Sequence, residues 1–246
     1  MSRDFEIRRE VELDAIPESV WEAITTREGL RAWLFDQEFV PDGASSQVWD
    51  PPHRLLVRLP EAPDGATQAF EYVIEARAGG HAVLRFVHSG FLGDSWDVDF
   101  DFGEVTGYGW TMYLHTLAEY FAHFAGRPAV YVEVEAPPAS SERSAWPRLM
   151  ARIGVAEGLE VGDAVRFEPA GVAPIEGVAD FVAPGHFLGI RTSDSLIRFH
   201  NRGGLGMPVA VSMHLYDGPS DPDRIRTAWH EWLTAVYTHG AVPPGW

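Results

Sequence analysis

From Phe5 to Leu13 the chain reads FEIRREVEL, where apolar and polar side chains trade places in an imperfect period of two that predicts a strand. Pro17 and Glu18 then open a helix, PESVWEAIT, at the position where a missing N–H costs nothing and an acid suits the dipole. TREGLRAWLF predicts a second short helix capped by Thr26. Strands follow at RLLVRLP, AFEYVIEAR and HAVLRFVHSGF, the last two joined by a hairpin signal at Ala78-Gly79-Gly80. GWTMYLHTLAEYFAHFAG then predicts a long helix closed by Gly126, with Pro128 beyond it. At about 100° per residue, Trp110, Leu114, Leu117, Phe121 and Phe124 fall within about 40° of one direction. His115, Glu119 and His123 point the other way and are expected to face solvent.

The pattern then recurs. VYVEVEAP is a strand and AWPRLMARIG a short helix, with Trp146 standing where Trp21 stood. AVRFEP, GVADFVA, HFLGIRTS, SLIRFHN and PVAVSMHLY are strand candidates. Asp221-Pro222-Asp223 starts a last helix, which puts Ile225, Trp229, Trp232, Leu233 and Val236 on one side. The two halves read as an internal duplication, residues 1–127 and 128–246, the alternative being one domain with an elaborated C-terminal half. In the duplication reading ARAGGHAVLRFVHSG aligns with FVAPGHFLGIRTSDS, matching His81 to His186. The parity that buries Phe86 would then turn Gly189 and Arg191 inward.

Composition narrows the chemistry. The chain carries 36 acids against 19 bases, a net charge of −17 that disfavours nucleic acid and anionic membrane surfaces as partners. Cysteine is absent and every base is arginine. Disulfides, thiolate nucleophiles, Schiff-base lysines and P-loop lysines are thereby excluded. The opening MSRDFEIRREVEL is too charged for a signal peptide, and no apolar run approaches a membrane span, so a cytoplasmic protein is expected.

Candidate motifs thin out on inspection. The His115, Glu119, His123 spacing could hold a metal, but a solvent face offers no outer layer of partners to orient the ligands. DSWDVDFDFGE (94–104) places Asp97, Asp99 and Asp101 at the first spacings of a calcium loop, yet the glycine comes late and the bidentate glutamate is missing. Alternating Trp96, Val98, Phe100 and Phe102 make an amphipathic strand or acidic loop the simpler reading. HEWLT lacks the second histidine of a zinc protease, RGGLGMP is a turn, and no G-x-S-x-G occurs. No cofactor and no metal are expected.

VELDAIPESVWEAITTREGLRAWL, LRFVHSGF and GWTMYLHTLAEYF together resemble bacterial homologues of the heat shock protein 90 ATPase activator, within the SRPBCC (START-like) superfamily. The resemblance covers residues 5–127 and extends more weakly to the second half. It implies an α+β helix-grip fold, an antiparallel sheet around a long C-terminal helix, often with an apolar pocket. It also implies two kinds of partner, a small lipophilic ligand or a protein. An Asn-x-Trp-His-Trp module, which the eukaryotic co-chaperone carries, is absent here.

The expectation is therefore a tandem START-like protein that binds a small, largely apolar molecule in its first domain. Trp33, Tyr72, Phe86, His88, Trp110 and Leu114 are the expected pocket lining, with His88 as the polar reader at the rim. The rival readings are a protein-interaction module of co-chaperone type and, beyond it, a cyclase or dehydratase using His88 as base.

Overall fold

The computed structural model describes residues 3–93, 102–142, 144–155, 158–218 and 221–238. The chain divides into two compact units, Met1–Arg127 and Pro128–Trp246. Each is α+β, with one antiparallel sheet and a long helix at its C-terminal end.

In the first unit β1 (Asp4–Leu13) leads into α1 (Pro17–Thr25) and α2 (Arg27–Arg31). Thr26 both ends α1 and caps α2: its hydroxyl donates to the Glu22 carbonyl (2.8 Å) and accepts from the Gly29 N–H (2.9 Å). β2 (Ser46–Asp50), β3 (Arg54–Arg58), β4 (Thr67–Arg77) and β5 (His81–Phe91) follow, and α3 (Phe102–His123) closes the unit. The sheet order is β1-β5-β4-β3-β2. Gly79 and Gly80 both have φ near +85°, which lets the β4–β5 hairpin turn tightly.

β2 has no counterpart in the sequence expectation. It is a sheet edge with a register shift between Ser46 and Val48 and no buried residue, so it leaves no alternation to read. α3 starts at Phe102, a full two turns before the Gly109 at which the sequence reading begins it. Two glycines in those turns, Gly103 and Gly107, lower helix propensity, and packing overrides them.

The second unit runs β6 (Ala129–Glu135), α4 (Ala145–Ile153), β7 (Ala164–Phe167), β8 (Ile175–Ala183), β9 (Phe187–Arg191), β10 (Ser195–His200), β11 (Ala210–Tyr216) and α5 (Pro222–Thr238). Its sheet order is β6-β11-β10-β9-β8-β7. Asp221 caps α5 by accepting from the Arg224 N–H at 3.0 Å. In both sheets the first strand pairs with the last, and the last with the strand before it.

That topology corrects one alignment. His81 stands in the hairpin between the last two strands, whereas His186 stands between β8 and β9. The second unit's equivalent of the His81 hairpin is the longer β10–β11 connection. The inward parity shifts with it. Leu188 and Ile190 join the core with α5, and a Cβ on Gly189 would instead meet Arg198 and Asp180 on the other face of the sheet. Gly189 and Arg191 do not point inward.

Candidate functional site

The strands under α3 are in register so that inward side chains form transverse rows. Ile7, His88 and Phe70 make one row, and Arg9, Phe86 and Tyr72 the next, across β1, β5 and β4. The cross-strand spacing of about 4.8 Å sets their rings in contact. Phe86 lies 5.0 Å from Tyr72 and 4.2 Å from the Trp110 ring above it on α3. Leu114, one helical turn further, is buried in the same cluster.

His88 is only 4% exposed. Phe70 stacks on its ring at 4.4 Å, and Phe5 meets it edge-on at 4.9 Å. Trp110 Nε1–H donates to Nδ1 at 3.0 Å, which assigns the remaining proton to Nε2. Nε2 faces Gln68 Oε1 at 3.3 Å, a long hydrogen bond to a side chain at the exposed end of β4. Burial pushes the imidazole pKa down to about 4, so the ring is neutral at pH 7. Both nitrogens are engaged, and among the described residues no carboxylate hydrogen-bonds it.

Tyr72 differs. Its side chain is buried, and burial alone raises its pKa, with no hydrogen bond offsetting the effect. Among the described residues its hydroxyl has no hydrogen-bond partner. Trp33 is fully buried as well, but its indole N–H is committed to the Ala23 carbonyl at 3.0 Å, tying the segment after α2 to α1. Of the six expected residues, then, Tyr72, Phe86, His88 and Trp110 form one continuous wall. Leu114 packs beside them, and Trp33 holds the short helices in the same core. Sequence reasoning did not single out Phe5, Gln68 or Arg9. The signal for Arg9 was present: it is the charged residue that breaks the apolar parity of Phe5, Ile7, Val11 and Leu13.

The opposite face of α3 is not the solvent face that the projection predicts. Met112 (1% exposed) and Thr116 (0%) are buried there, and Glu119 is half-buried between His115 Nε2 (3.9 Å) and His123 Nε2 (3.6 Å). The acidic run at 94–101 lies outside the described residues. Among the described residues the first unit carries surface clefts away from that wall. One of about 510 Å³ is lined by Glu22, Thr26, Tyr120, Phe121 and Arg127 among others, and one of about 390 Å³ by Glu12, Arg77 and His81 among others. Neither is lined by any of the six expected residues.

In the second unit the space under the long helix is mainly apolar. Val132, Val134, Val211, Met213, Ile197 and Phe199 face Trp229, Trp232, Leu233 and Val236. Its buried polar side chains Asp180, Arg198, His200, Ser212 and His214 lie on the other face of the sheet. There Arg198 binds Asp180 through two hydrogen bonds of 2.9 and 2.7 Å, and His200 Nε2 meets Ser212 Oγ at 2.8 Å. Burial, reinforced by Arg202 and Arg198, pushes the His200 pKa down to about 3.

An antiparallel sheet closed by a long C-terminal helix, twice over, is the α+β helix-grip layout expected from the sequence. Among solved structures the chain is similar to the Aha1 dimer from Colwellia psychrerythraea at 18% identity, over 50% of this chain and 99% of that one, with a TM-score of 0.38. It is similar to CalU16 from Micromonospora echinospora at 17% identity, over 48% and 85% of the respective chains, with a TM-score of 0.36. DynU16, a putative protein in the dynemicin biosynthetic locus, matches at 16% identity over 94% of this chain and 95% of its own, with a TM-score of 0.39. No protein-family model and no curated protein matches the sequence. Among the described residues, no helix is long and apolar enough to cross a membrane.

Proposed function

We propose that this chain is a tandem pair of START-like domains, residues 1–127 and 128–246, and that the first binds a small, largely apolar molecule between α3 and its sheet. The observation that carries this reading is the Tyr72 hydroxyl, which has no hydrogen-bond partner among the described residues although its side chain lies in an aromatic interior. The described residues leave that hydroxyl without a partner, and a ligand's polar group can supply one. Phe86 and Trp110 supply the apolar wall, and the neutral His88 stands at the rim beside Gln68. Phe70, half-buried and stacked on His88, is the ring that moves aside to admit the ligand.

The second domain keeps the layout but presents mainly apolar side chains from β11 and β10 to its helix, with Ser195 at the strand end, so it is less suited to a polar-headed ligand. Native mass spectrometry of the purified chain, with a thermal-shift screen of lipophilic molecules, tests the proposal. A bound small molecule, or a rise in Tm that Tyr72→Phe reduces, is expected. A ligand-free mass and no stabilising compound across the screen would overturn it.

A further inference from the structure

We propose that the ligand is an acid, and that Arg9 binds its carboxylate from the open side of the interior, between β1 and α3. This rests on the reading of the first domain given above and names the chemical class of its ligand. The placement follows from register. Arg9 pairs directly with Phe86 and so shares the inward face of β1 with Ile7 and Leu13, both of which are in the core. An arginine in a row that continues through Phe86 to Tyr72 is a positive charge at the edge of an aromatic interior.

Its partners leave that charge available. The guanidinium donates from Nε to Thr111 Oγ1 at 2.8 Å and from Nη1 to the Arg8 carbonyl at 2.8 Å. Both acceptors are neutral. Neighbouring arginines are neutralised instead: Arg8 by Glu6, Arg54 by Glu71, and Arg85 by Glu10 and Glu75. Among the described residues Arg9 has no carboxylate within ion-pair distance, although the chain carries 36 acids.

The helix is also shaped around it. A Cβ on Gly107 would lie 2.6 Å from Arg9 Nη2, so the glycine lets α3 pass directly over the guanidinium. Two anchors fix the plane of the fork, and Nη2 makes no hydrogen bond among the described residues. A held, half-buried arginine with unspent donors suits a planar carboxylate, which can accept two parallel N–H bonds. The apolar remainder of the ligand then lies along Phe86 and Trp110, and its far end reaches Tyr72, about 10 Å from Arg9 at the usual strand spacing.

The test uses cis-parinaric acid and its methyl ester as fluorescent probes on the full chain. Four proteins are compared: wild type, Arg9→Gln, Gly107→Ala and Arg8→Gln. Arg8 lies one residue away on the exposed face, so Arg8→Gln makes the same change in net charge without touching the interior. The acid should bind wild type at least tenfold more tightly than the ester. Arg9→Gln should lose about that factor for the acid alone, and Arg8→Gln should lose nothing. Gly107→Ala keeps the arginine but displaces its tip, so it should weaken the acid severalfold while the helix gains propensity, which keeps the test open if Arg9→Gln does not fold.

Equal affinity for acid and ester, or equal losses in Arg9→Gln and Arg8→Gln, would overturn the role of Arg9 and leave the apolar pocket standing. If neither probe binds and no other lipophile raises Tm, the pocket itself is wrong and the inference falls with it.

Discussion

The two units solve the same packing problem and put their buried polar groups on opposite sides of the sheet. In the first, His88, the Tyr72 hydroxyl and Arg9 lie on the face that meets α3. In the second, the face that meets α5 is mainly apolar, and Asp180, Arg198, His200 and Ser212 occupy the other. The two sets also differ in how they are satisfied. The second unit's groups pair with each other: Arg198 and Asp180 through two short bonds, His200 with Ser212. The first unit's groups keep spare capacity in the Tyr72 hydroxyl and the Arg9 guanidinium. A closed polar network holds a structure together, whereas an open one beneath a helix is equipped to meet something else.

The largest effect should come from opening the closed network. Arg198→Met removes both hydrogen bonds that the guanidinium gives the Asp180 carboxylate, with both side chains at 2% exposure or less in the native protein, and should destabilise by about 3–5 kcal/mol. Asp180→Leu combined with Arg198→Met should recover most of that loss. Urea denaturation followed by fluorescence measures both. A double variant as unstable as the single one would show that the pair does more than neutralise itself, and the contrast between the units would weaken.

The next effect is pH dependence, which reaches both faces. His88 titrates near 4 and His200 near 3 in the folded state, against about 6.5 unfolded. Both folded values are depressed, so the unfolded chain binds more protons between those limits, and stability rises with pH across that window. Full stability is expected above pH 6.5. The loss on acidification should run from there to about 4 for His88 and continue to about 3 for His200, at up to about 1.4 kcal/mol per pH unit for each ring. His88→Phe should remove about half of the slope between pH 6.5 and 4, and His200→Phe the other half together with the slope below 4. A denaturation series from pH 7 to pH 3.5 that stays flat in the wild type would count against the neutral state of both rings.

Much of this was legible in the sequence, for identifiable reasons. PESVWEAIT and HAVLRFVHSGF match observed elements residue for residue, because Pro17, Thr26 and the two hairpin glycines are strong local punctuation. The inward parity of Tyr72, Phe86 and His88 followed from alternation alone. What failed were judgements that depend on distant partners. β2 is an unburied edge, so nothing in its own side chains announces it. One glycine in the first turns of α3, Gly107, is there because Arg9, nearly a hundred residues earlier, passes beneath it. The His81–His186 alignment rested on a shared Gly-His pair, while strand pairing follows topology, and one misplaced hairpin reversed the parity assigned to Gly189. The opposite face of α3 was expected to be wet because His115, Glu119 and His123 are polar, yet Met112 and Thr116 between them are fully buried.

The smallest expected effect separates the two units most sharply, because each side loses a single hydroxyl. Ser212→Ala removes the partner of a buried, neutral imidazole and leaves His200 Nε2 unsatisfied, so it should cost about 1–2 kcal/mol. Tyr72→Phe removes a hydroxyl that satisfies nothing within the protein, so the ligand-free chain should lose no stability and should gain a few tenths of a kcal/mol. The same Tyr72→Phe chain should respond less to any stabilising lipophile, which separates a group kept for folding from one kept for binding. Parallel melts with and without ligand give both numbers. If Tyr72→Phe destabilised the ligand-free protein as much as Ser212→Ala does, the phenol would be a structural partner like the serine, and the two faces would no longer differ in kind.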